Sequence, residues 1–124
     1  MTKIFFLLGC LFSFLGVAIG AFGAHALKNK LSPDMLQVFE VGVRYQMYHA
    51  IGLIVVAWAL HSWNLAGAAA SGWWFFAGIV LFSGSLYALA LSDIKWFGAV
   101  TPLGGLSFLI GWLWLAWSVW KGVE

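Results

Sequence analysis

The sequence predicts an all-α integral membrane protein, a single-domain bundle of four transmembrane helices. The first observation is composition: 64% of the 124 residues are hydrophobic and only 8% are charged, whereas soluble domains average roughly 45–50% apolar and about 25% charged residues. The second is that four long apolar stretches are separated by short polar connections. The third is a content of nine Trp and eleven Phe, which suits aromatic belts at membrane interfaces.

Composition and charge also exclude several classes of function. The formal net charge is +2 and there is no basic run that could follow a nucleic-acid backbone, so nucleic acid is not an expected partner. The single cysteine, Cys10, excludes an intrachain disulfide and a cysteine-based metal site. The histidines share no recognisable ligand spacing. The sequence therefore predicts neither a metal site nor a cofactor.

The first predicted span covers about residues 4–27, which carry no charge. As a helix it would extend roughly 36 Å, enough to cross the hydrocarbon core with some tilt. Small residues fall on one narrow stripe of this helix, and such stripes let two backbones approach closely in lipid. The stripe either packs against another helix of the same chain or forms a contact with a second copy or a partner membrane protein. Its members are Gly9, Ser13, Gly16, Gly20 and Gly23.

The second predicted helix is longer than a bilayer requires. Ser32-Pro33-Asp34 combines a capping hydroxyl, proline at the first helical position and an early carboxylate, which together predict a helix start. Residues 33–45 are predicted to be a polar, interfacial beginning, and residues 46–63 to be the span itself.

The third and fourth spans are predicted at about residues 66–91 and 98–120. Thr101-Pro102 repeats the cap-and-proline signal and is predicted to open the fourth helix. Both spans carry small residues at helical spacing, which predict close helix packing. These are Gly84 and Ala88 in the third span and Gly104, Ser107 and Gly111 in the fourth.

The distribution of cations predicts the orientation in the membrane. Four lie on the side of connections 28–45 and 92–97, and two lie on the side of the termini. Because cytoplasmic loops carry the excess of Lys and Arg, we expect an inner-membrane protein with these connections in the cytoplasm and both termini outside. The cations are Lys28, Lys30, Arg44 and Lys95 against Lys3 and Lys121.

The polar residues with the greatest functional interest begin at Glu40 and Arg44. Their spacing of four, with the carboxylate first, favours an ion pair on one helix. The pair would either anchor the helix entrance or leave Arg44 free to bind an anionic group such as a lipid phosphate. We expect a single polar face that gathers the candidate ligand-binding and lipid-binding residues. These are His25, Glu40, Arg44, Tyr45, Tyr48, His49 and Asp93.

No catalytic motif accompanies these residues: a Ser/His/Asp set, a phosphate-binding glycine loop and a paired catalytic carboxylate are all absent from the sequence. We therefore expect a protein that is not an enzyme. The leading hypothesis is a structural or binding role that engages lipid headgroups, a small amphiphile or a partner helix. The competing hypothesis is a small oligomeric transporter or proton-coupled carrier that uses Glu40 and His49.

Four phrases of the sequence occur together and in order, namely Gly20–His25, Val43–Ala50, Leu81–Tyr87 and Thr101–Gly105. Together they resemble the YgdD-like family of small multi-pass bacterial inner-membrane proteins. The chain departs from the expected pattern at Ala26, where the family has Gly, and at Val41, where it has Thr. The resemblance covers nearly the whole chain and implies a membrane protein of unknown function, so no catalytic role is carried over.

Overall fold

The computed structural model describes residues 1–123 and contains four long helices, which confirms the all-α prediction. Helix α1 ends in a π-helical turn, Gly23–Leu27, and α3 begins with a 3₁₀ turn, Ala66–Ala68, and contains a π-helical turn at Ile79–Ser83. The connections between helices are only three to five residues long. The helices are α1 (Thr2–Leu27), α2 (Pro33–Ser62), α3 (Ala66–Ser92) and α4 (Phe97–Gly122).

Three of these helices, α1, α3 and α4, are long and apolar enough to cross a membrane. Helix α2 is not among them, because polar residues such as Gln46 and His49 interrupt its apolar sequence. Both of those side chains are buried by neighbouring helices. The chain is thus an all-helical protein with at least three helices suited to a bilayer.

Helix α2 begins at Pro33, as the Ser-Pro-Asp sequence predicts. The Ser32 hydroxyl accepts a hydrogen bond from the Met35 backbone N–H at 3.2 Å, which satisfies one of the free donors at the helix start. The backbone of Ser32 is extended, with φ −61° and ψ 156°, so the chain turns sharply out of the preceding connection.

The small stripe of α1 lies against α2 along most of the length of both helices. A Cβ atom on Gly9 would lie 2.6 Å from Ile54 Cγ1, and one on Gly16 would lie 2.5 Å from Met47 Sδ. As the residue number rises from Gly9 to Gly16 along α1, the contacted residue falls from Ile54 to Met47 along α2. The two helices are therefore antiparallel. Ser13, on the same stripe, is half-buried. The stripe is therefore used for packing within the chain.

Gly20 and Gly23 continue this contact towards the end of α1. A Cβ on Gly20 would lie 3.1 Å from Val43 Cγ1, and one on Gly23 would lie 2.5 Å from Phe39 Cε1. The α1–α2 contact thus extends to the level of the polar beginning of α2.

Helix α3 does not use its Gly84 and Ala88 as the sequence predicted. A Cβ on Gly84 would meet nothing within 4 Å, and Gly84 and Ala88 instead line a small surface cavity beside Trp96. The prediction of close packing at Gly84 is wrong, because this cavity separates Gly84 from the start of α4.

Helix α4 packs against α3 through its predicted small residues. Gly104 lies directly on the backbone of Phe82, where an added Cβ would be 2.6 Å from Phe82 Cα. The Ser107 hydroxyl donates to the Trp74 carbonyl at 2.7 Å. A Cβ on Gly111 would lie 2.6 Å from Phe75 Cε1.

The start of α4 differs from the prediction, because the helix begins at Phe97 and Pro102 lies inside it. Thr101 is not a helix cap. Its hydroxyl lies 2.6 Å from the Ser85 hydroxyl and donates to the Phe97 carbonyl at 3.4 Å, which ties α4 to α3. In a non-aqueous environment every backbone group needs an internal partner, so the helix extends upstream through the apolar residues before Thr101.

Gln46 joins three helices at the buried side of α2. Its amide nitrogen donates to the Phe12 carbonyl of α1 at 2.9 Å, and its amide oxygen accepts from the Tyr87 hydroxyl of α3 at 2.7 Å. Because a carbonyl can only accept, the contact with Phe12 fixes the orientation of the amide. One turn away, the Ser83 hydroxyl donates to the Gly42 carbonyl at 2.6 Å. These bonds tie α1 and α3 to α2, and α1 and α3 also contact each other, with the ring centroids of Phe5 and Trp73 5.2 Å apart.

Candidate functional site

A cleft lies between α2 and α4 with α3 as its floor, and we name it the aromatic cleft. Its volume is about 840 Å³, which lies within the range of roughly 300–1,000 Å³ typical of ligand pockets. It is open to the outside between the two helices, and none of its lining residues is charged. They are Tyr45, Tyr48, His49, Phe82, Pro102, Gly105, Leu106, Phe108, Leu109 and Trp112.

His49 bridges the aromatic cleft from α2 to α4. The Trp112 indole N–H donates to His49 Nε2 at 3.0 Å, and His49 Nδ1 lies 2.8 Å from the Tyr45 carbonyl oxygen. An indole nitrogen only donates and a carbonyl only accepts, so Nε2 must be the acceptor and Nδ1 must carry the proton. The imidazole is consequently neutral in this arrangement, and both of its nitrogens are hydrogen-bonded.

Aromatic stacking makes the wall of the cleft stiff. The rings of His49 and Phe108 are parallel within 9°, with centroids 3.5 Å apart. Tyr45 packs on Phe82 at 4.8 Å between centroids and meets Tyr48 edge-on at 5.6 Å. Contacts of this kind add to the energy of apolar burial and restrict ring rotation. Aromatic contacts therefore connect α2 to α3 and α4 along the wall of the cleft.

The rim of the cleft faces outward. Tyr48 and Leu109 are 54% and 63% exposed, whereas His49 is 4% exposed. Leu109 lies at the middle of α4, so the opening extends to the depth at which a spanning helix is surrounded by hydrocarbon chains. The cleft has a buried polar base and an apolar mouth.

The predicted polar face is not a single cluster. Of its seven residues, only Tyr45, Tyr48 and His49 line the aromatic cleft. Glu40 and Arg44 line a separate cavity between α1 and α2. The division arises because residues 45 and 49 lie on the side of α2 that faces α4, whereas residues 40 and 44 lie on the side where α2 borders α1.

The Glu40–Arg44 ion pair predicted from the spacing is not formed. The ion pair found within residues 1–123 joins Lys95 to Asp93, with Nζ and Oδ1 2.8 Å apart. The side chains of Glu40 and Arg44 are both exposed. Exposed pairs of this kind gain little from contact, so spacing alone does not enforce one.

His25 and Asp93 also lie apart from the cleft. His25 is exposed in the π turn that ends α1. Asp93 is exposed after α3, with a left-handed backbone at φ 56°, and it is the partner of Lys95. No group of three or more His, Cys, Asp or Glu residues comes together in the described part of the chain.

Sequence reasoning missed the α3 and α4 side of the cleft, which includes Phe82, Phe108 and Trp112. One signal was present in the sequence. Trp112 lies sixteen residues into α4, away from the helix ends, and a tryptophan inside a span needs a partner for its N–H. His49 of α2 is a polar ring that can accept a hydrogen bond, so the sequence could have suggested it as the partner of the Trp112 N–H.

Comparison with known proteins identifies the family. A family described as "Protein of unknown function (DUF423)" matches residues 19–105. The chain belongs to the DUF423 family. No solved structure matches it. The matched part of this DUF423 protein contains Tyr45, Tyr48 and His49 but ends before Phe108 and Trp112.

Relatives of this DUF423 protein are named as membrane proteins. It is 50% identical to the UPF0382 membrane protein YwdK of Bacillus subtilis over 90% of this chain and 91% of the relative. It is 47% identical to the UPF0382 membrane protein SH2409 of Staphylococcus haemolyticus, over 98% of both chains. The predicted assignment to membrane proteins of uncharacterised function is confirmed, while the narrower YgdD-like name is not established by these relatives.

Proposed function

We propose that this protein crosses the membrane four times and binds the hydrocarbon chain of a membrane lipid, or of a similar amphiphile, in the aromatic cleft. The observation that supports the proposal is the cleft itself. It has a volume of about 840 Å³, is lined by uncharged and largely aromatic side chains, and opens sideways between α2 and α4. A groove of this kind within a bilayer is filled by hydrocarbon, because water in it would find few polar partners. The proposed role is binding and structural, without catalysis.

The register of the α1–α2 contact supports the fourth span. Contacts pair Gly9 with Ile54 near one end and Gly23 with Phe39 near the other, so α2 follows α1 over at least fifteen residues of α1. Helix α1 is long and apolar enough to cross a membrane. A helix that runs antiparallel beside it over this length must cross most of the same thickness. Gln46 and His49 of α2 are compatible with this position because neighbouring helices bury them, and the exposed Arg44 lies towards the Pro33 end of the helix.

We propose an inner-membrane location with the connections 28–32 and 93–96 in the cytoplasm and both termini outside. Arg44 is exposed near the same side as these connections, so it counts with Lys28, Lys30 and Lys95 towards the cytoplasmic excess of cations. The exposed tryptophans Trp117 and Trp120, with Lys121 4.6 Å from the centre of the Trp117 ring, suit the opposite interface.

Cysteine labelling tests the four spans and the orientation together. In a Cys10→Ser background we expect Asn64→Cys to react with a membrane-impermeant maleimide added outside intact cells. Lys30→Cys and Ile94→Cys should react only after the cells are permeabilised, since these exposed positions lie on the other side. Reaction of residues 30 and 64 from the same side would show that α2 does not cross the membrane.

The positions of Glu40 and His49 support the competing carrier hypothesis less well than the aromatic cleft supports lipid binding. Both His49 nitrogens are already engaged, and a proton added to Nε2 would face the Trp112 N–H and break that bond. Glu40 lines a different cavity from His49. The two groups do not form a proton path, so we favour lipid binding.

Filling the cleft provides the test of lipid binding. A Cβ at Gly105 would come no closer than 3.8 Å to Phe82 Cδ2, so Gly105→Leu places its side chain in the cleft without overlapping the backbone. Gly84→Leu is the matched control, because a Cβ there meets nothing within 4 Å and the site lies outside the cleft. We expect wild type and Gly84→Leu to retain lipid in native mass spectrometry, and Gly105→Leu to retain about fivefold less.

A change in folding is separated from a change in binding by measuring thermal unfolding of the same samples. We expect Gly105→Leu to unfold cooperatively like Gly84→Leu. Equal lipid retention by the two variants would refute lipid binding in the cleft.

A further inference from the structure

A second cavity, of about 230 Å³, lies between α1 and α2 and is separate from the aromatic cleft. Gly20 and Gly23 form its α1 wall, and Phe39 and Val43 form part of its α2 wall. Glu40 and Arg44 both line it, so one small cavity carries a carboxylate and a guanidinium one helical turn apart. We name it the headgroup cavity.

The two charges in this cavity are not neutralised by each other. A spacing of four residues favours a direct ion pair between Glu40 and Arg44. In the part of the chain that the structure describes, no ion pair joins these two side chains. Both side chains are exposed. An unpaired charge near hydrocarbon is costly, so this arrangement favours an occupant that brings charges of its own.

The depth of the cavity identifies the part of a lipid that it meets. Helix α2 has 30 residues, roughly 45 Å at about 1.5 Å per residue, which exceeds a hydrocarbon core of about 30 Å by roughly 15 Å. Its far end lies among the tryptophans Trp58 and Trp63, whose rings are 4.7 Å apart, as expected at an interface. The excess length therefore falls at the Pro33 end and places Arg44 at the edge of the core.

Glu40 lies about 6 Å further out than Arg44 along the helix axis. From the membrane core outward, the cavity thus presents a cation and then an anion. A phospholipid with an ethanolamine headgroup presents the complementary order, a phosphate next to its glycerol and a primary ammonium beyond it. An exposed stripe of α2 below Arg44, which includes Ile51 and Val55, provides an apolar path for its chains.

We infer that the headgroup cavity binds the headgroup of a zwitterionic, amine-bearing phospholipid, with Arg44 on the phosphate and Glu40 on the ammonium. Arg44 can meet phosphate oxygens with two parallel N–H donors. Glu40 selects a primary ammonium over a quaternary one because only the former has N–H groups to donate. The inference rests on the four-span arrangement proposed above and not on occupancy of the aromatic cleft.

Lipid competition tests the inference. The protein is placed in nanodiscs with equal amounts of dioleoyl phosphatidylethanolamine, phosphatidylcholine and phosphatidylglycerol, and retained lipid is measured by native mass spectrometry. We expect phosphatidylethanolamine to be retained about two- to fivefold over each of the others, the range set by a partly exposed ion pair. Glu40→Gln should abolish this preference, and Arg44→Gln should lower the retention of all three lipids.

Two further variants make the outcome specific. Asp93→Asn removes an exposed carboxylate that lies outside the cavity, and we expect it to keep the preference. Gly105→Leu blocks the cleft alone, so it too should keep the preference, which separates this inference from lipid binding in the cleft. Equal retention of the three lipids by wild type would overturn the inference, as would a preference for phosphatidylethanolamine that survives Glu40→Gln. Preferential retention of phosphatidylglycerol would show instead that Arg44 selects net negative charge.

Discussion

Gly104→Ala is expected to lower the free energy of unfolding by about 2–3 kcal/mol, the upper part of the range for overpacking a close contact. The added methyl group would overlap the backbone nitrogen of Phe82 and lie 2.6 Å from its Cα. A flexible side chain could rotate away, but a helix backbone cannot. Helices α3 and α4 must therefore separate along the contact that includes Ser107 and Gly111. Reversible unfolding in detergent measures the loss.

The control for this substitution is Gly84→Ala, which adds the same group at an open position of α3. We expect it to be neutral or slightly stabilising, because alanine is favoured over glycine inside helices by about 0.5–1 kcal/mol. If the two substitutions had equal effects, the close approach of α4 to Phe82 would be wrong.

Gln46→Leu is expected to have the second-largest effect on stability. It removes the bond to the Phe12 carbonyl and leaves the half-buried Tyr87 hydroxyl without its acceptor. Hydrogen bonds between helices in a membrane average about 0.6 kcal/mol and reach about 1.7 kcal/mol. Loss of two such bonds should therefore cost about 1–3 kcal/mol, measured by the same unfolding assay.

A double-mutant cycle isolates the Gln46–Tyr87 bond. Tyr87→Phe alone should cost less than Gln46→Leu, because the Phe12 bond remains. The two substitutions together should cost less than their sum by about 0.6–1.7 kcal/mol, the energy of the shared bond. Strict additivity would mean that the two side chains do not interact across the α2–α3 contact.

The helices were predictable because long apolar stretches and short polar connections determine where a membrane chain can turn. The sequence also predicted that some helix would pack closely on α1, since small residues at Gly9, Gly16, Gly20 and Gly23 leave room for a neighbouring backbone. The sequence did not identify α2 as that helix, because glycine spacing describes one surface and not the partner that covers it.

Apart from Trp112, the aromatic cleft could be predicted only on its α2 side. Tyr45, Tyr48 and His49 are conspicuous polar rings in an apolar sequence, but Phe82 and Phe108 are indistinguishable from the other phenylalanines until the helices are assembled. Phe82 also lies inside the π turn Ile79–Ser83, where regular α-helical spacing does not describe which face a residue occupies. Local spacing also failed for Glu40 and Arg44, whose separation permits a pair that the side chains do not form.

The most direct test of lipid binding is an experimental structure of the protein in lipid nanodiscs. The account predicts elongated density in the aromatic cleft, with one hydrocarbon chain between Tyr48 and Leu109 and within about 4 Å of the Phe108 ring. The Trp112–His49 hydrogen bond should remain at the base of the cleft. A cleft closed by approach of α4 to α2, or one filled by side chains alone, would contradict the proposal.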